Sequence, residues 1–224
     1  ETAGTGPYTV IYNDGTANRT ANNVSSGTPF ATFTTPVTST TTYTLVSVTG
    51  SNSCSRNSGF TGASATITVN PLPQGSLSAN GPFCATGTGQ LTFTETAGTG
   101  PYTVIYNDGT ANRTANNVSS GTPFATFTTP VIATTTYTLV SVTGSNSCSR
   151  SSGFTGASAT ITVNPLPQGS LSANGPFCAT GTSQLTFTET AGTGPYTVIY
   201  NDGTANRTAN NVSSGTPFAT FTTP

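Results

Sequence analysis

The chain has no lysine, histidine, methionine or tryptophan, and only 5 arginines and 6 acidic residues among its 224 residues. Its net charge of −1 leaves no basic face for nucleic acid, and the charge is far too low for a disordered polyelectrolyte. No apolar run approaches the roughly 18 residues of a membrane-spanning helix. We therefore expect a folded segment that neither binds nucleic acid nor spans a membrane.

The same absences argue against catalysis. General acid–base chemistry usually requires histidine, or two carboxylates in different environments. Without histidine or lysine, no base is present to activate a serine or threonine nucleophile. A strong calcium site would require a cluster of carboxylates, and the acidic residues are far apart in the sequence. We expect no enzyme, no cofactor and no metal site.

What the chain does have is a long repeat. The sequence that begins at Glu1 returns at Glu95 and again at Glu189, which gives a period of 94 residues. The first full period differs from the next at Thr38/Ile132, Ser39/Ala133, Asn57/Ser151 and Gly89/Ser183. This period is longer than solenoid repeats and matches a whole small domain. Each copy is therefore expected to bury its own core.

Within a copy, apolar residues alternate with a period of two. "QLTFTETA" (residues 90–97) places Leu91 and Phe93 on one face, and "PYTVIYNDGT" predicts a strand of Tyr102, Val104 and Tyr106 that ends in an Asn-Asp-Gly turn. The segments "GSLSAN", "FATFTTP", "TYTLVSVTG" and "ASATITV" are further strand candidates between Gly, Ser, Asn and Pro clusters. About seven short strands and no helix per copy predict an immunoglobulin-like β-sandwich.

The "NPLP" segments at residues 70–73 and 164–167 define the predicted domain boundaries. Two prolines that flank one residue cannot join a central ladder, so these segments are expected to be short, stiff linkers. The prediction is a partial repeat over residues 1–70, a complete repeat over 71–164 and a partial repeat over 165–224. We interpret the partial ends as a window of a longer tandem array. Strand donation between molecules is the alternative, although residues 189–224 would then duplicate strands already present in residues 1–36.

Several motifs together resemble the immunoglobulin-like and PKD-like repeats of very large surface proteins of Bacteroidota. They are a Cys-x-x-Gly at residues 84–87, a Thr-rich run into Tyr-Thr-x-x-x-Val at 137–142, an Asn-x-Cys at 146–148 and a Thr-Val-Asn-Pro at 162–165. The resemblance covers the whole chain, although the third strand has no tryptophan. It implies a giant adhesin or filament exported to the cell surface, in that phylum commonly by the type IX system and in some members for gliding motility.

The cysteines allow three hypotheses. Cys54, Cys84, Cys148 and Cys178 contain no Cys-x-x-Cys, which argues against zinc. A disulfide between Cys84 and Cys148 would lie within the complete domain and would place the protein in an oxidising compartment. If the two turns that carry them lie at opposite ends of the sandwich, the bridge would instead join Cys148 to a cysteine of a preceding copy. Free thiols are the third possibility.

The function that these observations favour is structural and adhesive. Tandem sandwiches would form a long extracellular fibre at the cell surface, with neighbouring repeats and identical chains as partners. A glycan-binding module is the alternative, in which Tyr102 or Tyr106 would stack on a sugar if one of them faced outward. An ice-binding adhesin, from the Thr-rich run at residues 134–138, is a minor alternative, and an accessory region of an enzyme is a further one.

Overall fold

A computed structural model of the chain describes residues 3–33, 36–127, 130–178 and 181–222. These residues form β-strands joined by turns and loops, with no helix among them. The predicted all-β fold is confirmed. Contacts divide the chain into two compact units, Glu1–Leu72 and Pro73–Pro224, which we call unit 1 and unit 2. The predicted boundary between residues 164 and 165 lies inside unit 2, so the three-part division stays a prediction.

Unit 1 contains one antiparallel sheet of five strands. The strands pair in the order β2-β1-β3-β4, and β5 pairs with the first half of β3. Their bounds are β1 (Tyr8–Asn13), β2 (Asn18–Val24), β3 (Thr41–Thr49), β4 (Ser55–Arg56) and β5 (Ser64–Ile67).

The first part of unit 2, residues 73–164, has two facing sheets. The three-stranded sheet, in the order β11-β8-β6, consists of β6 (Gln74–Ala79), β8 (Gln90–Ala97) and β11 (Pro123–Thr126). The five-stranded sheet consists of β9 (Tyr102–Asn107), β10 (Asn112–Val118), β12 (Thr135–Thr143), β13 (Ser149–Arg150) and β14 (Ser158–Ile161). A short parallel pair joins β7 (Phe83–Cys84) to β15 (Val163–Asn164). This arrangement of two facing antiparallel sheets is that of a β-sandwich, and the immunoglobulin-like topology stays a prediction.

The second part of unit 2 has two smaller sheets. One sheet, in the order β16-β17-β20, consists of β16 (Gln168–Ala173), β17 (Thr182–Ala191) and β20 (Pro217–Thr222). The other is a hairpin of β18 (Tyr196–Asn201) and β19 (Asn206–Val212). These sheets repeat the sequences of β6, β8, β11, β9 and β10 one period later.

The core of residues 73–164 lies between the two facing sheets. The alternation of side chains along each strand explains which residues form this core. Leu91 and Phe93 on β8 are buried, as are Tyr102, Val104 and Tyr106 on β9. The remaining buried members come from both sheets and are Leu77, Val118, Tyr137, Leu139, Val142 and Ile161. Phe124 and Phe127 pack against this cluster while half-buried.

Strand β10 carries little of the alternation by which the other strands were predicted. Its sequence, Asn-Arg-Thr-Ala-Asn-Asn-Val, has apolar side chains only at Ala115 and Val118. The strand pairs with β9 alone, at the edge of the sheet. Asn117 has a positive φ of 58° at the position where the register shifts, a conformation that asparagine tolerates better than most residues.

Candidate functional site

Hydrogen bonds join the first residues of the sandwich to its last residues. At one end of the sandwich, the amide of Phe83 donates to the carbonyl oxygen of Thr162 at 2.9 Å, and that of Ala85 to Asn164 at 2.8 Å. These bonds form the parallel β7–β15 pair, in which Phe83 lies opposite Val163. The last residues of the sandwich are therefore bonded to residues that lie about 80 positions earlier in the chain.

Further hydrogen bonds between the first and last parts of the sandwich lie closer to its other end. The amide of Leu77 on β6 donates to the carbonyl oxygen of Gly156 at 2.9 Å. The guanidinium Nε of Arg150 donates to the carbonyl oxygen of Pro73 at 2.7 Å, and the side-chain amide of Gln74 donates to the carbonyl oxygen of Gly153 at 3.0 Å. We call all these hydrogen bonds between residues 73–85 and residues 150–164 the terminal contacts.

The strand registers place the two termini of the sandwich at opposite ends. Gln74 pairs with Ala97 at one end, which we call the proximal end, and Ala79 pairs with Leu91 towards the other, the distal end. The chain enters at Gln74 and leaves beyond Asn164, which lies beside Cys84 at the distal end. Tension applied along the chain would therefore slide β6 and β7 past β14 and β15. Because these strands run in the same direction, the terminal contacts would be loaded together and not broken one after another.

Neither tyrosine proposed for sugar stacking is available for that role. Tyr102 is 1% exposed and Tyr106 is 7% exposed, so both rings face the core. Residues four apart on a strand share a face, which explains why both point inward. The ring of Tyr102 packs edge-on against Phe93, with centroids 5.4 Å apart. The structure thus contradicts the prediction that one of these tyrosines presents its ring to a glycan.

Tyr102 instead anchors the turn between β8 and β9. Its hydroxyl donates a hydrogen bond to the carboxylate of Glu95. Burial, followed by this hydrogen bond and the negative charge of Glu95, raises the pKa of Tyr102 to about 12. The equivalent hydroxyl of Tyr196 donates to Glu189, and this bond and then burial raise the pKa of Tyr196.

The predicted Asn-Asp-Gly turn joins β9 to β10. One carboxylate oxygen of Asp108 accepts hydrogen bonds from the amides of Thr110 and Ala111, at 2.9 and 2.8 Å, and from the Thr110 hydroxyl. The other accepts from Nε of Arg113 at 2.7 Å. These bonds, the one from the Thr110 hydroxyl foremost, hold the pKa of Asp108 well below its ordinary value. The only acid of this turn therefore has a structural role, and the same arrangement recurs at Asp14 and Asp202.

The structure does not join Cys84 to Cys148. Both are free thiols, and they lie at opposite ends of the sandwich. Cys148 bonds through its carbonyl to the amide of Gly144, directly after β12, whereas Cys84 lies beside Asn164. The length of β12 separates these ends by about 25 Å, while a disulfide brings two Cβ atoms to about 4 Å. The predicted bridge within the domain is therefore wrong; a bridge to a preceding copy stays a prediction.

The inner face of the unit 1 sheet is open to solvent. A groove of about 410 Å³ runs along it and is lined mainly by apolar side chains, among them Tyr12, Phe30, Phe33, Tyr43, Leu45 and Ile67. The same residues one period later face the core of residues 73–164. Ile67 is 38% exposed, whereas Ile161 is fully buried.

The described residues contain neither a cluster of metal ligands nor a helix that could span a membrane. No group of three or more His, Cys, Asp or Glu side chains among them is arranged to hold a metal ion. None of the described segments forms a helix long and apolar enough to cross a membrane.

No model of a protein family matches the chain, and no curated protein matches it. The resemblance to bacterial surface repeats therefore stays a prediction that rests on the motifs themselves.

Proposed function

We propose that this chain is a non-catalytic, structural and adhesive repeat region of a long extracellular fibre at the cell surface. Its partners would be neighbouring repeats and identical chains. The observation that carries the proposal is the set of terminal contacts, which bond the residues where the chain enters the sandwich to those where it leaves. A fibre must transmit tension through each of its domains, and contacts of this kind oppose the separation of the two termini.

The geometry of the contacts suits this role. Three of these hydrogen bonds are spread along the sandwich: they join Arg150 to Pro73, Leu77 to Gly156, and Phe83 to Thr162. Each bond alone contributes only about 1 kcal/mol of net stability. Since tension loads them in parallel, the barrier to forced unfolding reflects the group and not a single bond. Forced unfolding depends on the unfolding rate, which such a barrier controls.

The surface chemistry is compatible with an extracellular location. The chain has 5% charged residues, and Thr and Ser hydroxyls dominate its exposed strand faces. Salt screens interactions between exposed charges, so a surface with few charges changes little with ionic strength. A fibre of such domains would keep its properties in media of variable salt content.

Single-molecule force spectroscopy of the whole chain, held by tags at its two termini, tests the mechanical role. Residues 73–164 should unfold in one step that releases roughly 300 Å of extended chain. That step should require a clearly higher force than any other event in the trace, because the terminal contacts lie within these residues. A trace in which no event of this length resists extension would contradict the proposal.

A pair of arginine variants gives the matched control. Arg150→Ala removes the hydrogen bond to Pro73 and should lower the unfolding force of the long step. Arg113→Ala removes the ion pair with Asp108 in the β9–β10 turn, away from the chain termini, and should leave that force unchanged. Equal effects of the two variants would show that load does not pass through the terminal contacts. Labelling of intact cells with an antibody against the repeat tests the surface location separately.

A further inference from the structure

The sandwich of residues 73–164 has one closed side and one open side. On the closed side β6 lies beside β14, and the amide of Leu77 donates to the carbonyl oxygen of Gly156 at 2.9 Å. On the open side β10 pairs with β9 alone and β11 pairs with β8 alone. Strand β11 has four residues and begins with Pro123, which has no amide hydrogen. Among the described residues, the seven of β10 therefore form the longest unpaired edge of this sandwich.

The backbone groups of β10 point alternately towards β9 and away from it. The amide of Asp108 donates to the carbonyl oxygen of Ala111 at 3.1 Å, so these two residues form a hydrogen-bonded pair of the β9–β10 hairpin. Such pairs alternate with non-hydrogen-bonded pairs along an antiparallel ladder. Arg113 and Ala115 therefore bond to β9. The residues between and beside them direct their backbone groups to the open side, and they are Asn112, Thr114 and Asn116.

The same edge recurs in each copy of the repeat. Strands β2 and β19 have the sequence of β10, and each pairs with the strand before it. Proteins commonly protect an edge strand from association with lysine, proline or an inward-pointing charge. Strand β10 has neither lysine nor proline, and its one charged side chain, Arg113, is paired with Asp108 at 2.7 Å. Little in the chemistry of this edge therefore opposes the addition of a strand.

We infer that β10 pairs with β10 of a second copy of this chain. The two strands would be antiparallel and related by a two-fold axis, with Thr114 opposite the partner's Thr114. An interface of this kind uses the same surface on both chains. The outward backbone groups of residues 112–116 would form about six hydrogen bonds with those of the partner. This is recognition by strand addition, in which backbone bonds give affinity and the facing side chains give specificity.

The side chains of β10 favour this register. It places Asn112 opposite the partner's Asn116, on the sheet face where Nδ2 of Asn107 already donates to Oδ1 of Asn112 at 2.8 Å. The remaining amide group of Asn112 can donate to the partner's Asn116 in the same way. Arg113 would lie opposite the partner's Ala115, so the two guanidinium groups do not meet. A register centred on Arg113 would set like charges opposite each other and would need backbone groups that are already bonded to β9.

The inference extends the proposed function, because it names the contact through which identical chains would associate side by side. It rests on the proposed function only for its biological role. The test below uses the chain in solution, without load and without cells. A chain that bears force but does not pair through β10 is therefore distinguishable from one that pairs but bears no force.

Disulfide trapping on the whole chain tests the pairing, with all four native cysteines replaced by serine. In the two-fold register the Cα atoms at position 114 lie about 5.5 Å apart, within the range that a disulfide spans. Oxidation of the Thr114→Cys chain should therefore give a cross-linked dimer, measured over time by non-reducing electrophoresis. The control is Thr138→Cys, at an exposed position on the outer face of β12, which reports random collisions. We expect Thr114→Cys to cross-link at least about tenfold faster.

A second set of variants tests the register. Arg113→Cys lies opposite Ala115 of the partner, so alone it should cross-link as slowly as the Thr138→Cys control. A mixture of Arg113→Cys chains and Ala115→Cys chains should cross-link quickly. Fast cross-linking of Arg113→Cys to itself would overturn the two-fold register centred on Thr114.

Added charge gives a matched pair of variants in the Thr114→Cys chain. Asn112→Lys with Asn116→Lys would set ammonium groups opposite each other across the interface and should slow cross-linking to the collision rate. Thr136→Lys with Thr138→Lys adds the same charge to the outer face of β12 and should leave the rate unchanged. Circular dichroism spectra should show that both chains fold. Equal rates for Thr114→Cys and Thr138→Cys, or equal effects of the two lysine pairs, would overturn the inference.

Discussion

The repeat provides a direct comparison of one leucine in two environments. Leu77 on β6 is 5% exposed beneath the five-stranded sheet, whereas Leu171, its equivalent on β16, is 54% exposed. Truncation of a buried leucine to alanine costs about 2–5 kcal/mol, from lost burial and from the cavity that remains. At a half-exposed position the cost should stay below about 1 kcal/mol. We therefore expect Leu77→Ala to destabilise the chain strongly and Leu171→Ala to leave it almost unchanged.

Urea unfolding of the whole chain, followed by near-ultraviolet circular dichroism of the buried tyrosines, measures the difference. The transition at highest urea belongs to residues 73–164, because two facing sheets are complete there. With a urea dependence of about 1 kcal/mol per molar for a domain of this size, Leu77→Ala should lower that midpoint by roughly 2–5 M. Equal shifts for Leu77→Ala and Leu171→Ala would refute the conclusion that the facing sheet supplies the stability.

Three further predictions concern single sites. The pKa of Tyr102 in the folded chain is about 12, above its ordinary value. The stability that the protonated Tyr102 contributes should therefore be complete below pH 10 and lost as the pH rises through 12. Tyr102→Phe should remove this part of the alkaline unfolding profile. Gly89→Ser should destabilise residues 73–164 by about 1–3 kcal/mol in urea unfolding, because a Cβ atom at this position would lie 2.6 Å from Cδ1 of Ile161. Ser183→Gly, the reverse change one period later, should have little effect. After air oxidation, mass spectrometry of proteolytic fragments should find no link between Cys84 and Cys148 of one chain; such a link would contradict the placement of these thiols at opposite ends.

The strands that bury side chains could be predicted from the sequence because their alternation is regular. Residues 90–97 form β8 with the predicted bounds, and its inward residues are those expected. The alternation also predicts which way the two tyrosines face. Tyr102 and Tyr106 are four residues apart, so they must share a face of β9. The glycan-stacking hypothesis required them to differ, so the sequence already held the reason for rejecting it.

The terminal contacts could not be predicted in this way. Strands β7 and β15 have two residues each, too few for a periodic pattern, and they pair across about 80 residues of intervening chain. The bond from Arg150 to Pro73 depends likewise on where β13 lies relative to the start of β6. Strand β10 was missed because an edge strand needs few apolar side chains, and only Ala115 and Val118 face inward there. Such features follow from tertiary packing and not from local preference.

Near-identity of the copies has a consequence for how such a chain folds. If any first strand pair fits any open face, side chains cannot select the correct partner, because the copies differ at only a few positions. Selection then depends on connectivity. A segment tethered by a short turn is present at an effective concentration in the millimolar range, well above that of a strand from another molecule. In residues 73–164, β8 reaches β9 through residues 98–101 alone, so the facing sheet forms from its own strands.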